Sequence, residues 1–419
     1  MPLLKLTEKK YLILLFLFAC TLSFGLNFAR EKYAFHKPFL FWGEDVYRNL
    51  INDEHWYAWP ARALLEGHGL HTIDINFYRL PEEMLARPDL SFKHKESSYY
   101  YFNLVPPLYP IFLAACFFLF KINTISYLIP QIIIASLSSV LIYYLAKEIF
   151  SKNIAVLSSL IVACYPDLIF WTNKIRTETL FIFFIILSFL LIIKGVNSSK
   201  RSLIYFGSII YGLGCLTRVT LVPFIPFIFI WVFYVYKENQ IKKPLVSAIM
   251  LGIICLTLLP WAVRNYVLFD KFSPLSDEAS SSLVYERNIT TLNTKKSIFA
   301  VAVSVIKYNS KEFFYLSGKR FIAFWSPVTP IMKPFAKVYK SITWLLLFPI
   351  AFYGMYLSVR KSEKSGLLLI FIIYYSLMHG FSLLDEGLVY RYPIQPYISI
   401  FAAYAFFYLL DSRRKPNEQ

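Results

Sequence analysis

The sequence predicts an all-α polytopic membrane protein, a bundle of about ten transmembrane helices with further helices along its outer face. Three observations predict it. Of 419 residues, 57% are hydrophobic and only 16% are charged, against roughly a quarter charged in a soluble domain. Apolar runs long enough to cross about 30 Å of hydrocarbon recur along the chain. The basic residues fall between those runs. A mean hydropathy of +0.51 excludes a soluble globular enzyme, a disordered chain and a collagen-like repeat. The net charge of +17 reads as membrane topology rather than as a nucleic-acid footprint.

Full spans are expected near 11–29, 123–146, 151–172, 178–194, 202–217, 219–236, 244–266, 340–358, 366–384 and 393–410. The first follows Lys5, Lys9 and Lys10. It runs past Cys20 without the short apolar region and small residues of a cleaved leader, so it reads as an uncleaved span. The run 107–120 is too short to be a safe span. If it does not cross, Lys147/Lys152, Lys194/Lys200/Arg201, Lys237/Lys242/Lys243, Arg360/Lys361/Lys364 and Arg413/Arg414/Lys415 join the N-terminal lysines on one face. That face is then cytoplasmic. We therefore expect 107–120 at the outer interface, led by Pro106-Pro107. Both termini are then cytoplasmic, and two long segments, about 30–122 and about 267–339, lie outside. Ser297–Tyr308 reads as an amphipathic surface helix. No repeat, linker or soluble domain is visible, so residues 1–419 read as one membrane domain. Cys20, Cys116, Cys164, Cys215 and Cys255 all lie in apolar runs and read as small hydrophobes.

In this topology the polar residues gather on the outer side. Asp53-Glu54 and Tyr57 open the first loop. Asp167, Lys174, Arg176 and Glu178 surround the start of the 178–194 span. Arg218 follows the next span, Trp261, Arg264 and Asn265 end the seventh, and Asp385, Glu386, Arg391 and Tyr392 join the last two. Ionisable groups at membrane depth are costly and mark function. A single arginine at a span end is equally well read as a headgroup anchor, but anchors should occur on both faces. Carboxylates take a proton from a hydroxyl nucleophile, and arginines hold a phosphate and stabilise it as it leaves. Together they suit transfer of a group from a lipid phosphate to a hydroxyl acceptor. No phosphate loop, zinc helix or nucleophile elbow is present. His55, His68 and His71 read as ordinary surface histidines rather than a metal site.

Asp53-Glu54-x-x-Tyr57-x-x-x-Ala61-x-x-Leu64-x-x-Gly67 resembles the opening loop of GT-C membrane glycosyltransferases. It is most similar to glycosyltransferase family 39, which holds protein O-mannosyltransferases and the lipid A aminoarabinose transferases. Pro106-Pro107-Leu108-Tyr109-Pro110, Arg176-Thr177-Glu178-Thr179-Leu180, Gly212-Leu213-x-x-Leu216-Thr217-Arg218, Pro260-Trp261-x-x-Arg264-Asn265-Tyr266 and Arg391-Tyr392-x-x-x-Pro396 resemble later landmarks in the same order. The resemblance implies a GT-C-like bundle, a sugar donor linked to a polyprenyl phosphate, and inversion at the anomeric carbon. It implies Asp53 as catalytic base with Glu54 its partner, though Glu54 also suits a helix first turn. It implies Arg264, Arg391, Arg176 and Arg218 as candidates for the donor phosphate, with Tyr57, Glu178 and Tyr392 as further site candidates. No metal ligand set is visible, and a divalent metal at Asp53/Glu54 stays open. Val105 before Pro106-Pro107 departs from the basic residue of the aminoarabinose transferases. The chain's end after about ten spans argues against the eukaryotic protein mannosyltransferases.

The expected location is a bacterial inner membrane, and the expected partners are the lipid-linked donor and a lipid, glycan or protein acceptor, with no nucleic acid. A polysaccharide ligase or polymerase, or a lipid or sugar transporter, is the alternative. A ligase or polymerase is not expected to carry the early Asp-Glu loop, and transporters favour paired repeats with helices broken at midplane, whereas here the charges sit at the outer mouth.

Overall fold

The computed structural model describes residues 7–29, 54–73, 91–93, 99–102, 105–236, 242–269, 310–328, 332, 334–359, 363–381 and 389–414. Its packing forms two compact units, 1–148 with 163–277, and 149–162 with 278–419.

The first unit begins with α1 (Glu8–Ala29), followed by α2 (His55–Leu65). A three-stranded antiparallel sheet follows, in the order β1-β3-β2, from β1 (His71–Ile73), β2 (Ser91–Lys93) and β3 (Tyr99–Phe102). His71 pairs with Tyr101, and Phe92 pairs with Tyr101 from the other side. Strands appear here within the segment, about 30–122, that the sequence predicts to be an outer loop. The aromatic run Tyr99-Tyr100-Tyr101-Phe102 has the composition of a strand. Then come α3 (Leu108–Phe120), α4 (Thr124–Ile149), α5 (Lys152–Ala163), α6 (Pro166–Trp171), α7 (Glu178–Asn197) and α8 (Arg201–Thr217). A 3-10 turn over Val219–Phe224 leads into α9 (Ile225–Val235), and α10 (Lys242–Phe269) follows.

Two expected spans are interrupted at prolines. The 151–172 span divides into α5 and α6 because Tyr165, at φ −72° and ψ 112°, precedes Pro166, which disfavours helical geometry there. The 219–236 span starts as a 3-10 turn because Pro223 contributes no N–H. Six helices among the described residues are long and apolar enough to cross a membrane, and four shorter apolar helices accompany them. Their outward surfaces suit lipid: Leu17 on α1 is 52% exposed and Leu256 on α10 is 66% exposed. Lipid tails are as apolar as leucine, so helices associate through close packing rather than burial. A Cβ at Gly207 on α8 would meet Ile192 of α7 at 2.7 Å, and Ser188 Oγ donates to the Gly207 carbonyl at 2.9 Å.

End-to-end contacts sort this unit into two faces. Lys147 Nζ, at the end of α4, lies 2.7 Å from Glu8 Oε2 at the start of α1. Asn197 Nδ2, at the end of α7, donates to the Glu148 carbonyl at 3.1 Å. At the opposite ends, Asn27 of α1 and Gln131 of α4 both bond the 172–174 segment. Thus α1 and α4 run antiparallel. Had α3 crossed between them, the Glu8 and Lys147 ends would stand a bilayer apart. At 13 residues α3 is about 20 Å long, short of a 30 Å span.

The second unit contains most of α5, with α11 (Ser310–Trp325), α12 (Pro334–Val359), α13 (Gly366–Phe381) and α14 (Gln395–Arg414). The 3-10 turn Val389–Ile394 precedes α14. Gly354 lets α12 lie directly on the α14 backbone at Phe401. Phe150 stacks on Tyr404 at 4.5 Å, joining the start of α5 to α14. The expected surface helix Ser297–Tyr308 lies outside the described residues.

Candidate active site

Residues from four segments of the first unit meet at the end of the bundle away from Lys147. The 13-residue α3 and the 11-residue α2 pack together through Ala58, Ala61, Tyr109 and Leu113. Alanines on α2 let the two helices approach closely. The Tyr57 and Tyr109 rings meet edge to face at 5.2 Å. This packing fixes the start of α2, where Glu54 is 7% exposed. Its Oε1 accepts from the Ile175 N–H at 3.4 Å and lies 3.9 Å from Lys174 Nζ. Asp53 lies outside the described residues.

Beyond this turn, Glu178 begins α7 and is 3% exposed. Arg218 NH1 donates to Glu178 Oε1 at 3.0 Å and reaches Thr177 Oγ1 at 3.4 Å. Arg218 leaves α8 in extended geometry, φ −152° and ψ 121°, and this carries its side chain back to α7. Tyr109 sits among these groups. Burial first, then Tyr127, Glu178, Tyr57 and Glu54, push its hydroxyl well above its ordinary value. Burial lowers the His55 imidazole below its ordinary value, with Glu54 opposing.

Glu54, Tyr57, Glu178 and Arg218 are thus brought to the same end of the first unit. Arg176 stands with its guanidinium 5.5 Å over the Trp171 ring. Arg264 NH2 donates to the Leu70 carbonyl at 2.9 Å, its NH1 meets Asn265 Oδ1 at 3.1 Å, and its guanidinium lies 4.6 Å over Trp261. It therefore ties the end of α10 to the turn after α2. Gly67 (φ +83°) and Gly69 (φ +76°) make that turn, at angles that side-chain-bearing residues rarely adopt. Arg391 and Tyr392 belong to the second unit. There Arg391 NH1 donates to the carbonyls of Phe324 (3.0 Å) and Ser326 (2.9 Å), and Lys340 Nζ donates to the Tyr392 hydroxyl at 3.1 Å.

Sequence reasoning does not single out Gln131 or Lys340; it gives Tyr109 only as part of the Pro106-Pro107-Leu108-Tyr109-Pro110 motif, and Lys174 only as an outer-face charge without a role. A lone glutamine in an otherwise apolar span is the signal for Gln131, since an amide is costly there unless bonded.

A family model described as dolichyl-phosphate-mannose-protein mannosyltransferase matches residues 105–263. A Bacillus subtilis (strain 168) protein, "Putative mannosyltransferase YkcB", is 25% identical over 144 residues, 34% of this chain and 20% of that protein. Among solved structures, the Archaeoglobus fulgidus oligosaccharyltransferase in the apo form matches 97% of this chain and 51% of its own, with a TM-score of 0.61 at 14% identity. AglB of the same organism, in complex with an inhibitory peptide and a dolichol-phosphate, matches 98% and 52%, with a TM-score of 0.58 at 13% identity. ArnT from Cupriavidus metallidurans, bound to undecaprenyl phosphate, matches 95% and 60%, with a TM-score of 0.59 at 13% identity. The chain spans about half the length of these oligosaccharyltransferases and a fifth of the Bacillus protein. Its fold is that of the GT-C membrane enzymes, and the resemblance to glycosyltransferase family 39 holds over 105–263. The first-loop and Arg391 motifs lie outside that matched stretch. The A. fulgidus oligosaccharyltransferase has also been solved with Zn and sulfate. Among the described residues here, no three His, Cys, Asp or Glu side chains are gathered to hold a metal ion.

Proposed function

We propose that residues 1–419 form one membrane glycosyltransferase domain that moves a sugar from a polyprenyl phosphate to a hydroxyl acceptor, with inversion, at the outer face of a bacterial inner membrane. The observation that carries this is the meeting of Glu54, Lys174, Tyr109 and the Glu178–Arg218 pair at one end of the first unit. The family match to mannosyltransferases supports the donor class, as do the polyprenyl phosphates bound by AglB and ArnT. Lys147, Lys194, Lys200 and Arg201 border spans at the opposite end of the first unit. The positive-inside rule makes that end cytoplasmic, leaves both termini there, and puts the site outside.

In this reading Asp53 takes the proton of the acceptor hydroxyl. The acceptor oxygen forms its bond to the anomeric carbon from one side as the bond to the phosphate oxygen breaks on the other. The bonding pair leaves with the polyprenyl phosphate. Cationic side chains stabilise the leaving phosphate; the motifs offer Arg176, Arg218, Arg264 and Arg391 as candidates, and Lys174 is a further one. Glu54, buried and held by the Ile175 N–H, fixes the start of α2. Tyr57, Glu178 and Tyr392 are the further candidates for contact with the substrates.

The test is a transfer assay with purified protein and a panel of polyprenyl-phosphate sugars, scoring water as a default acceptor. Wild type should release sugar from at least one donor, and Asp53→Asn should release about a hundredfold less or none. Equal release by the variant would remove Asp53 as the base.

A further inference from the structure

Two amide side chains lie fully buried in the bundle and converge on one turn. Gln131, in the second turn of α4, has no exposed surface. Its Nε2 donates to the carbonyls of Thr172 (3.0 Å) and Lys174 (2.9 Å), and its Oε1 accepts from the Tyr109 hydroxyl at 3.4 Å. Two carbonyls on one side and a hydroxyl on the other fix which end of the amide is nitrogen. Asn27, near the end of α1, is equally buried. Its Nδ2 donates to Thr172 Oγ1 (2.9 Å), to the Ile169 carbonyl (3.2 Å) and to the Ser23 carbonyl (3.0 Å). Thr172 Oγ1 in turn donates to the Ile169 carbonyl at 2.7 Å. Burying amides among apolar helices is costly unless their bonds are made. Three of these bonds, from Gln131 to Thr172 and Lys174 and from Asn27 to Thr172, go to a segment with little regular structure of its own.

That segment, 172–177, joins α6 to α7. The Lys174 N–H reaches the Trp171 carbonyl at 3.2 Å, and the Arg176 N–H closes on the Lys174 carbonyl at 2.9 Å. The second bond makes a three-residue turn about Ile175. The Lys174 carbonyl thus accepts from both the Arg176 N–H and Gln131. The turn aims the Ile175 N–H at Glu54 Oε1 (3.4 Å) and brings Lys174 Nζ to 3.9 Å from the same oxygen.

We infer that Gln131, assisted by Asn27, is a positioning residue for transfer. The two amides set the 172–177 turn, and the turn holds Glu54 and Lys174 together at the first loop. The effect on rate rests on the transferase reading above, whereas the effect on the turn rests on geometry alone. Gln131→Met keeps the length of the side chain and removes both N–H groups. Gln131→Glu in its neutral form keeps one donor.

Both variants should be compared with wild type, as full-length protein in lipid nanodiscs, by hydrogen exchange and by donor kinetics. In Gln131→Met, amides at 173–176 should exchange about tenfold faster or more, with protection elsewhere in α4 and α7 unchanged. Its kcat should fall about tenfold or more while the donor KM stays within about twofold. Gln131→Glu should recover part of both losses, and it carries the measurement alone if Gln131→Met does not fold. Unchanged exchange at the turn in a folded variant overturns the clamp, whatever the activity. Faster exchange with an unchanged kcat overturns the positioning role. A wild type that uses no donor refutes the transferase reading and the positioning role with it, while exchange still decides the clamp.

Discussion

Arg218 and Glu178 are a buried ion pair with side-chain exposures of 9% and 4%, so removing one partner strands the other's charge. Arg218→Ala should destabilise the protein by about 3–5 kcal/mol, seen as a lower midpoint of thermal unfolding in detergent. Arg218→Met with Glu178→Gln should cost less than Arg218→Ala alone, because no charge is then stranded. His55 carries a pH dependence. Burial lowers its folded value below 6.5, so the folded chain binds fewer protons than the unfolded one. Its contribution to stability is present above the unfolded value and is lost as pH falls through the lowered folded value. Wild-type stability should therefore decline as pH drops below about 6.5, and His55→Gln should flatten that decline in unfolding scans taken across the range. The residues that face these sites were unevenly legible. Glu54 and Arg218 stand out as charges at span ends. Gln131 and Tyr109 do not, because a single amide or phenol in an apolar run declares no partner until the chain brings distant segments together.

Helix ends matter more than helix middles in this chain. Hydropathy places the long helices well: 178–194 and 202–217 are close to the observed Glu178–Asn197 and Arg201–Thr217. It does not see breaks, since Tyr165-Pro166 interrupts an otherwise continuous apolar run. Nor does it see the small sheet, whose strands are three or four residues long. The α7–α8 contact depends on Gly207, where any Cβ would meet Ile192. Gly207→Val should force the two helices apart, costing about 1–3 kcal/mol or more, and should lower expression of folded protein on size exclusion. Arg264 acts at the element scale as the tie between α10 and the turn after α2. Arg264→Ala should free that turn, so cleavage near His68 by added protease should quicken. An unchanged cleavage rate would show that the Leu70 contact does not hold the turn.

The first unit places Glu8, Lys147 and Glu148 at one end and Asn27, Gln131, Glu54 and Arg218 at the other. The basic clusters already implied this separation, because α3 had to stay on one side for them to sort. Which donor and acceptor are used was not legible, since hydropathy and charge report a membrane face and not a sugar. Single cysteines at positions 68 and 200, in a background without the native thiols, should label from opposite sides of intact cells. Position 68 should react with a membrane-impermeant reagent added outside, and position 200 should not; the reverse pattern would invert the topology. The measurement that bears most directly on the proposed chemistry is the product analysis of a reaction with an anomerically pure polyprenyl-phosphate sugar. One free polyprenyl phosphate should appear per sugar transferred, with the anomeric configuration inverted. A retained configuration, or sugar transferred without release of polyprenyl phosphate, would contradict it.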